Sequence, residues 1–209
     1  MLLCDGVDPC SEAGLRAAAR RGLLAKPSEA IFDPRSGRAL GPSDWDLNPE
    51  FKEDLARMQP PRAAAVLIPI VLGNELMVML TQRAQELPSH PGQISFPGGK
   101  VEDSDAGAMA CALREAHEEI GLTADFVEAL GFLDSYRTST GFLISPVVGL
   151  VRPGFALKID GREVVEVFEV PLRYLMNGAN YQKRAREWGG QCAMSADPLS
   201  RRQSYRVAA

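Results

Sequence analysis

The segment Phe96–Leu122, FPGGKVEDSDAGAMACALREAHEEIGL, opens on two glycines, runs through small residues, and sets Glu115, Glu118 and Glu119 within five positions just before Gly121. On a helix over 106–120, Met109, Leu113, Ala116 and Ile120 recur at spacings of four, three and four, which is one apolar face. The glutamates recur at three and one and share a different face. Gly121 stands where a C-cap glycine belongs. Carboxylates three and four apart repel by a few tenths of a kcal/mol per pair. Acidic residues in a last helical turn also oppose the helix dipole. The cluster is unfavourable for a bare helix on both counts, and a bound cation would compensate. Mg²⁺ typically takes one or two carboxylates together with substrate phosphates. A turn at Gly98 and Gly99 would let the backbone approach, and the Gly98 carbonyl is a further candidate ligand. A solvated acidic face is the plainer alternative.

Working outward, strands are expected on both sides of this helix. AAAVLIPIVL (63–72) reads as a buried strand by its β-branched content, with LMVMLTQR (76–83) returning after a turn. QISFPGG (93–99) reads as a short strand ending in a glycine turn. DFVEALGFLDSY (125–136), SPVVGLV (145–151) and EVVEVFEVPL (163–172) read as later strands. Strands flanking one helix point to an α/β sandwich with a mixed sheet. Upstream, SEAGLRAAARRGLL (11–24) reads as a helix capped by Ser11, with Leu15, Ala19 and Leu23 on one face. Residues 25–61 are rich in Pro, Asp, Ser and Gly and read as a loop-rich arm. The expected division is an N-terminal helix and arm over 1–61, a core domain over 62–176 and a tail over 177–209.

With 27 acidic and 23 basic residues, the net charge is −4, without the basic excess of a nucleic-acid binder. The four cysteines, Cys4, Cys10, Cys111 and Cys192, are too scattered for a zinc site and too few for a disulfide framework. No run approaches the ~18 apolar residues of a membrane span, and the N-terminus MLLCDGVDPC lacks the pattern of a secretory signal. A cytoplasmic protein that engages neither membrane nor nucleic acid is expected.

The stretch Arg114-Glu115-Ala116-His117-Glu118-Glu119-Ile120-Gly121-Leu122 resembles the second half of the Nudix box at every position. The first half departs from that pattern: Gly99 lies fifteen residues before Arg114, one more than usual. The upstream acid therefore falls on Asp105 counted from Gly99, and on Ala106 counted back from Arg114. Just upstream, MLTQRAQELPSHPGQISFPGG (79–99) resembles the signature of the coenzyme A pyrophosphatase branch at Leu80, Thr81, Arg83, Ala84, Gly92, Phe96, Pro97, Gly98 and Gly99. Pro88 stands where that signature has an arginine. The resemblance fades after REWGG (186–190).

The resemblance implies a Nudix-type α/β/α sandwich that hydrolyses the diphosphate of coenzyme A, giving 3′,5′-ADP and 4′-phosphopantetheine with Mg²⁺ or Mn²⁺. It implies Glu115 and Glu119 as principal metal ligands, with Glu118 and Gly98 beside them. Arg114 would orient a glutamate, and Gly99 and Gly121 would be structural. Glu118 and Glu163 are both candidates for the base that accepts a proton from water. Arg83 and Lys100 are candidates for substrate phosphate contacts. His117 is expected to be exposed and Cys111 buried and inert; His90 is a weaker substrate candidate. A homodimer is a compatible assembly. The alternatives are a Nudix hydrolase of ADP-ribose or NADH, and an inactive Nudix module used for binding.

Overall fold

The computed structural model describes residues 7–28, 41–46, 60–87, 90–188, 191–197 and 206–207. Most of the expected arm, Pro88 and the end of the tail lie outside them. The strands are β1 (Arg62–Val71), β2 (Met77–Arg83), β3 (Ile94–Ser95), β4 (Gly98–Lys100), β5 (Val127–Phe132), β6 (Tyr136–Arg137), β7 (Phe142–Val151), β8 (Val164–Pro171), β9 (Gln182–Trp188), β10 (Gln191–Asp197) and β11 (Arg206–Val207). The helices are α1 (Glu12–Gly22), α2 (Ala108–Ile120) and α3 (Leu172–Leu175).

Among the described residues nine strands form one mixed sheet with the order β11-β8-β2-β1-β7-β5, while β3 pairs with β2, β4 with β1 and β6 with β7. The pair β1–β7 is parallel, from Arg62 opposite Phe142 to Val71 opposite Val151; the other pairings are antiparallel. Strands β9 and β10 form a separate antiparallel pair.

Alternation along β1 and β7 builds two cores, as period-two geometry requires. Ala65, Leu67, Val147 and Val151 face α2 and pack with Cys111, Ala112, Ala116 and Ile120. Ile70, Val148 and Leu150 face the other way and pack with Leu15, Leu23, Leu172 and Leu175 of the α1 and α3 segments. The molecule is thus a three-layer α/β/α sandwich with a mixed sheet, as expected. Helix α1 begins where the sequence places it: Ser11 Oγ accepts from Gly14 N at 3.1 Å. Arg16 fastens the helix to β5 through two hydrogen bonds to Glu128, 2.6 and 2.8 Å.

Two local expectations are corrected. Gly98 and Gly99 do not form a turn. They lie in β4, opposite Val66 and Ala65 of β1. A Cβ on Gly98 would fall 2.4 Å from the Ala65 carbonyl oxygen, so the close approach of two strands, rather than a bend, requires glycine there. Helix α2 also starts later than 106, because Gly107 has φ 118° and cannot be helical. Its end is as expected: Gly121 is left-handed with φ 75° and its N–H returns to His117 O at 2.9 Å.

Candidate active site

The last two turns of α2 face β4 and the end of β2, and the three glutamates meet different surroundings. Glu119 is 4 % exposed. Its Oε2 accepts from Gly98 N at 3.2 Å, and its Oε1 lies 3.9 Å from Arg83 Nη1. Glu115 is mostly covered, and a Cβ on Gly99 would fall 2.2 Å from its Oε1. Glu118 projects outward, its side chain 57 % exposed. The expectation of one shared face is therefore corrected. Residues 115 and 119 stack one turn apart, whereas 118 and 119 diverge by about 100° around the helix axis. Glu119 belongs to the buried side of α2, beside Ala116 and Ile120, which sequence periodicity assigned only to apolar residues.

Arg114 organises the outer side. Its guanidinium makes a two-pronged contact with Asp105, both bonds 3.0 Å. Its Nη1 also donates to Glu115 Oε1 at 3.0 Å and Glu118 Oε2 at 2.9 Å. Its Nη2 donates to Lys100 O at 3.2 Å. Asp105 is thus engaged with arginine, and its pKa is held down at about 2 by that bond. The longer box loop delivers its acid to Arg114, which orients Glu115 in turn.

Burial pushes the Glu119 pKa up to about 7, against the opposing Gly98 hydrogen bond; the charges of Glu115 and Glu163 add to the rise. Burial likewise raises Glu115, with Glu118 and Glu163 contributing. Glu163 sits exposed in the turn before β8. Its carbonyl accepts from Ala84 N at 2.8 Å, next to Arg83. The fold therefore gathers Glu115, Glu119, Glu163, Arg83 and Gly98, drawn from α2, the β8 approach, β2 and β4. Among the described residues Arg83 Nε is buried without a hydrogen-bond partner, while the side chain as a whole is partly exposed.

Lys100 enters differently. Its carbonyl serves Arg114 and accepts from Cys111 Sγ at 3.2 Å, whereas its side chain is exposed. Cys111 is buried and its thiol is pushed up to about 11, chiefly by burial, so it is inert as expected. His117 and His90 are exposed. The role of Asp105 as the clamp of Arg114 was missed from sequence; a carboxylate nine residues before the arginine is its only sequence signal.

The site carries more carboxylate than its compensating donors match, and the donors are hard oxygens, which suits a divalent cation. Glu115 and Glu119, with Glu118 at the rim, are the side chains that would hold it. Among the described residues no group of three or more His, Cys, Asp or Glu side chains is arranged to hold a metal ion by itself.

The NUDIX domain family matches residues 61–188, more than half of the chain. The chain belongs to that family. Among curated relatives it is 41% identical over 135 residues to an uncharacterized Nudix hydrolase, NudL, of Enterobacter sp. (strain 638), covering 65% of this chain and 69% of that one. It is 44% identical over 120 residues to the protein of the same name from Escherichia coli (strain K12), covering 57% of this chain and 62% of that one. The chain thus spans about two thirds or less of these relatives' lengths. Among solved structures, the Nudix hydrolase RenU of M. smegmatis aligns with a TM-score of 0.46 at 20% identity, over 55% of this chain and 73% of that one. Among the described residues no helix is long and apolar enough to cross a membrane.

Proposed function

We propose that this protein hydrolyses the diphosphate bond of coenzyme A or its derivatives, releasing 3′,5′-ADP and 4′-phosphopantetheine, with Mg²⁺ or Mn²⁺. The observation that carries the reading is the approach of Arg83, from the LTQRA segment upstream of the box, to Glu119 inside it. That segment, which resembles the coenzyme A pyrophosphatase signature, sits at the carboxylates rather than elsewhere on the sheet.

A bound cation lowers the pKa of an attacking water and neutralises charge on the phosphoryl oxygens. Glu115 and Glu119 would hold it, helped by Glu118 and the Gly98 carbonyl. Arg114 fixes Glu115, and Asp105 fixes Arg114. Arg83 binds a substrate phosphate through the exposed part of its guanidinium, with Lys100 a further cation at the rim. Glu163, exposed beside the buried pair, accepts the proton from water; Glu118 is the alternative base. Gly99 and Gly121 shape the strand and the helix end.

The two described free cysteines, Cys10 and Cys111, suit a reducing cytoplasm. The substrate is a small nucleotide, with neither nucleic acid nor membrane as partner, and a homodimer is the assembly to test by light scattering. The division into an N-terminal arm over 1–61, the hydrolase domain over 62–176 and a tail over 177–209 belongs to the same reading.

The test is a panel of coenzyme A, dephospho-coenzyme A, ADP-ribose and NADH with each metal, products separated by chromatography. Coenzyme A should give the highest kcat/KM. A tenfold preference for ADP-ribose would overturn the coenzyme A assignment and leave the family unaffected. Arg83→Ala should raise KM for coenzyme A roughly tenfold to a hundredfold, the worth of a charge-assisted hydrogen bond, while Mn²⁺ affinity measured by calorimetry changes less.

A further inference from the structure

Helix α2 ends with backbone carbonyls that need donors, and two of them are met from one distant segment. Lys158 N donates to Ile120 O and Asp160 N to Glu119 O, each at 2.9 Å. The segment then turns sharply. Asp160 O accepts from both Glu163 N at 3.0 Å and Val164 N at 2.9 Å. The Asp160 side chain closes the turn from inside: its Oδ1 accepts from Arg162 N at 3.0 Å, and its carboxylate grips the Arg162 guanidinium. The far end is tied to β2, because Ala84 N donates to Glu163 O at 2.8 Å. Glu163 is therefore suspended between the backbone of Glu119 and the strand that carries Arg83, with Asp160 as the joint. Arg162 is 89 % exposed, so its ion pair is solvent-screened. The bond from Asp160 Oδ1 to the Arg162 amide is the one that sets the turn.

We propose that Asp160 is a positioning residue for the reaction, its side chain holding the turn that presents Glu163 to the carboxylates of α2. This rests on the reading of Glu163 as the proton acceptor. A general base contributes only within hydrogen-bond reach of its proton. A displacement of about 1 Å can cost on the order of 10² in rate. Asp160 acts through Glu163, touching neither metal nor substrate, so its removal lowers kcat and spares KM.

The experiment compares Asp160→Ala, Asp160→Asn, Arg162→Ala, Glu163→Gln and the double variant Asp160→Ala/Glu163→Gln in the full-length protein. Coenzyme A with Mg²⁺ is the substrate, with ADP-ribose and Mn²⁺ run in parallel. Asp160→Ala should lose roughly tenfold or more in kcat, with KM within about twofold. Asp160→Asn keeps the Oδ1 acceptor and should stay near wild type, as should Arg162→Ala. The double variant should be no slower than Glu163→Gln alone, because one effect runs through the other. Hydrogen exchange should show the 160–164 amides opened in Asp160→Ala and protected again in Asp160→Asn. Wild-type kcat in Asp160→Ala, or losses that multiply in the double variant, overturns the positioning role while Glu163 stands. Wild-type kcat in Glu163→Gln overturns the base assignment and the inference with it, as does the absence of turnover of either substrate by the native protein.

Discussion

A carboxylate at 4 % exposure beside two others is an expensive arrangement, and Glu119 makes its consequences measurable. Glu119→Gln keeps the shape and removes the ligand charge. Loss of an electrostatic contribution of this kind costs on the order of 10²–10³ in turnover, so steady-state kinetics should show that drop with the fold intact. The same residue predicts an unusual stability profile. Its folded-state pKa, about 7, lies above the ordinary 4.5. Between those values the folded state holds more protons than the unfolded one, so unfolding free energy falls as pH rises. Metal-free protein in chelator should therefore gain stability as pH is lowered from about 7 to about 4.5, by at most roughly 3 kcal/mol. Asp105 and Glu128 are shifted downward and act below that window. Thermal melts across the range should show the gain in the native protein and a smaller one in Glu119→Gln, where the raised Glu115 still contributes; a flat native profile would contradict a buried carboxylate.

Among the elements, β4 separates two kinds of glycine. A Cβ on Gly98 meets the Ala65 carbonyl at 2.4 Å and Val66 Cα at 2.6 Å, all in the neighbouring strand. The three atoms nearest a Cβ on Gly99 all belong to the Glu115 carboxylate, the movable end of a long side chain. Gly98→Ala should thus lower stability by about 1–3 kcal/mol, read from urea unfolding, because backbone must shift. Gly99→Ala should fold near normally and lose most of its turnover, since Glu115 must leave its place beside Arg114. Equal stability losses in the two variants would show that β4 yields as a unit. Helix α2 is held from both ends of its active half, by Arg114 toward the box loop and by the 158–160 segment at its carbonyl terminus. The precision of the site is a property of these element junctions more than of the helix itself.

For the whole molecule, the sandwich places α2 on one face of the sheet and the α1 and α3 segments on the other. Chelator should abolish hydrolysis and added Mg²⁺ or Mn²⁺ should restore it; full activity in excess chelator would remove the metal from the mechanism. Residues outside the family match also hold the domain. Asp44 accepts from Tyr136 Oη at 2.7 Å and from Ser139 N and Oγ at 2.7 and 2.8 Å, and Arg16 holds β5. Helix α1 and Asp44 are therefore fastened to the sheet and the turn after β6 through specific polar contacts.

Sequence alone determined what depends on near neighbours along the chain. The Ser11 cap, the Gly121 terminus, the strands β1, β2, β7 and β8, and the 114–122 run of the box were legible because capping, β-branched content and helical periodicity are local. The burial of Cys111 and the exposure of His117 followed from the same helix geometry. Tertiary structure decided the rest. Gly98 lies 21 residues from Glu119, the carboxylate it donates to, and no local pattern announces that bond. The pairing of β4 with β1 turned an expected bend into a strand, because the need for glycine arose from a neighbouring backbone. The three glutamates divide into buried, half-covered and exposed only when β4 and β2 close over one side of α2. Arg83 becomes a partner of Glu119, and Asp160 the joint under Glu163, through strand ends that meet only after folding. The candidate ligands were legible as residue types at helical spacing; their electrostatics came from which of those residues the fold removed from water.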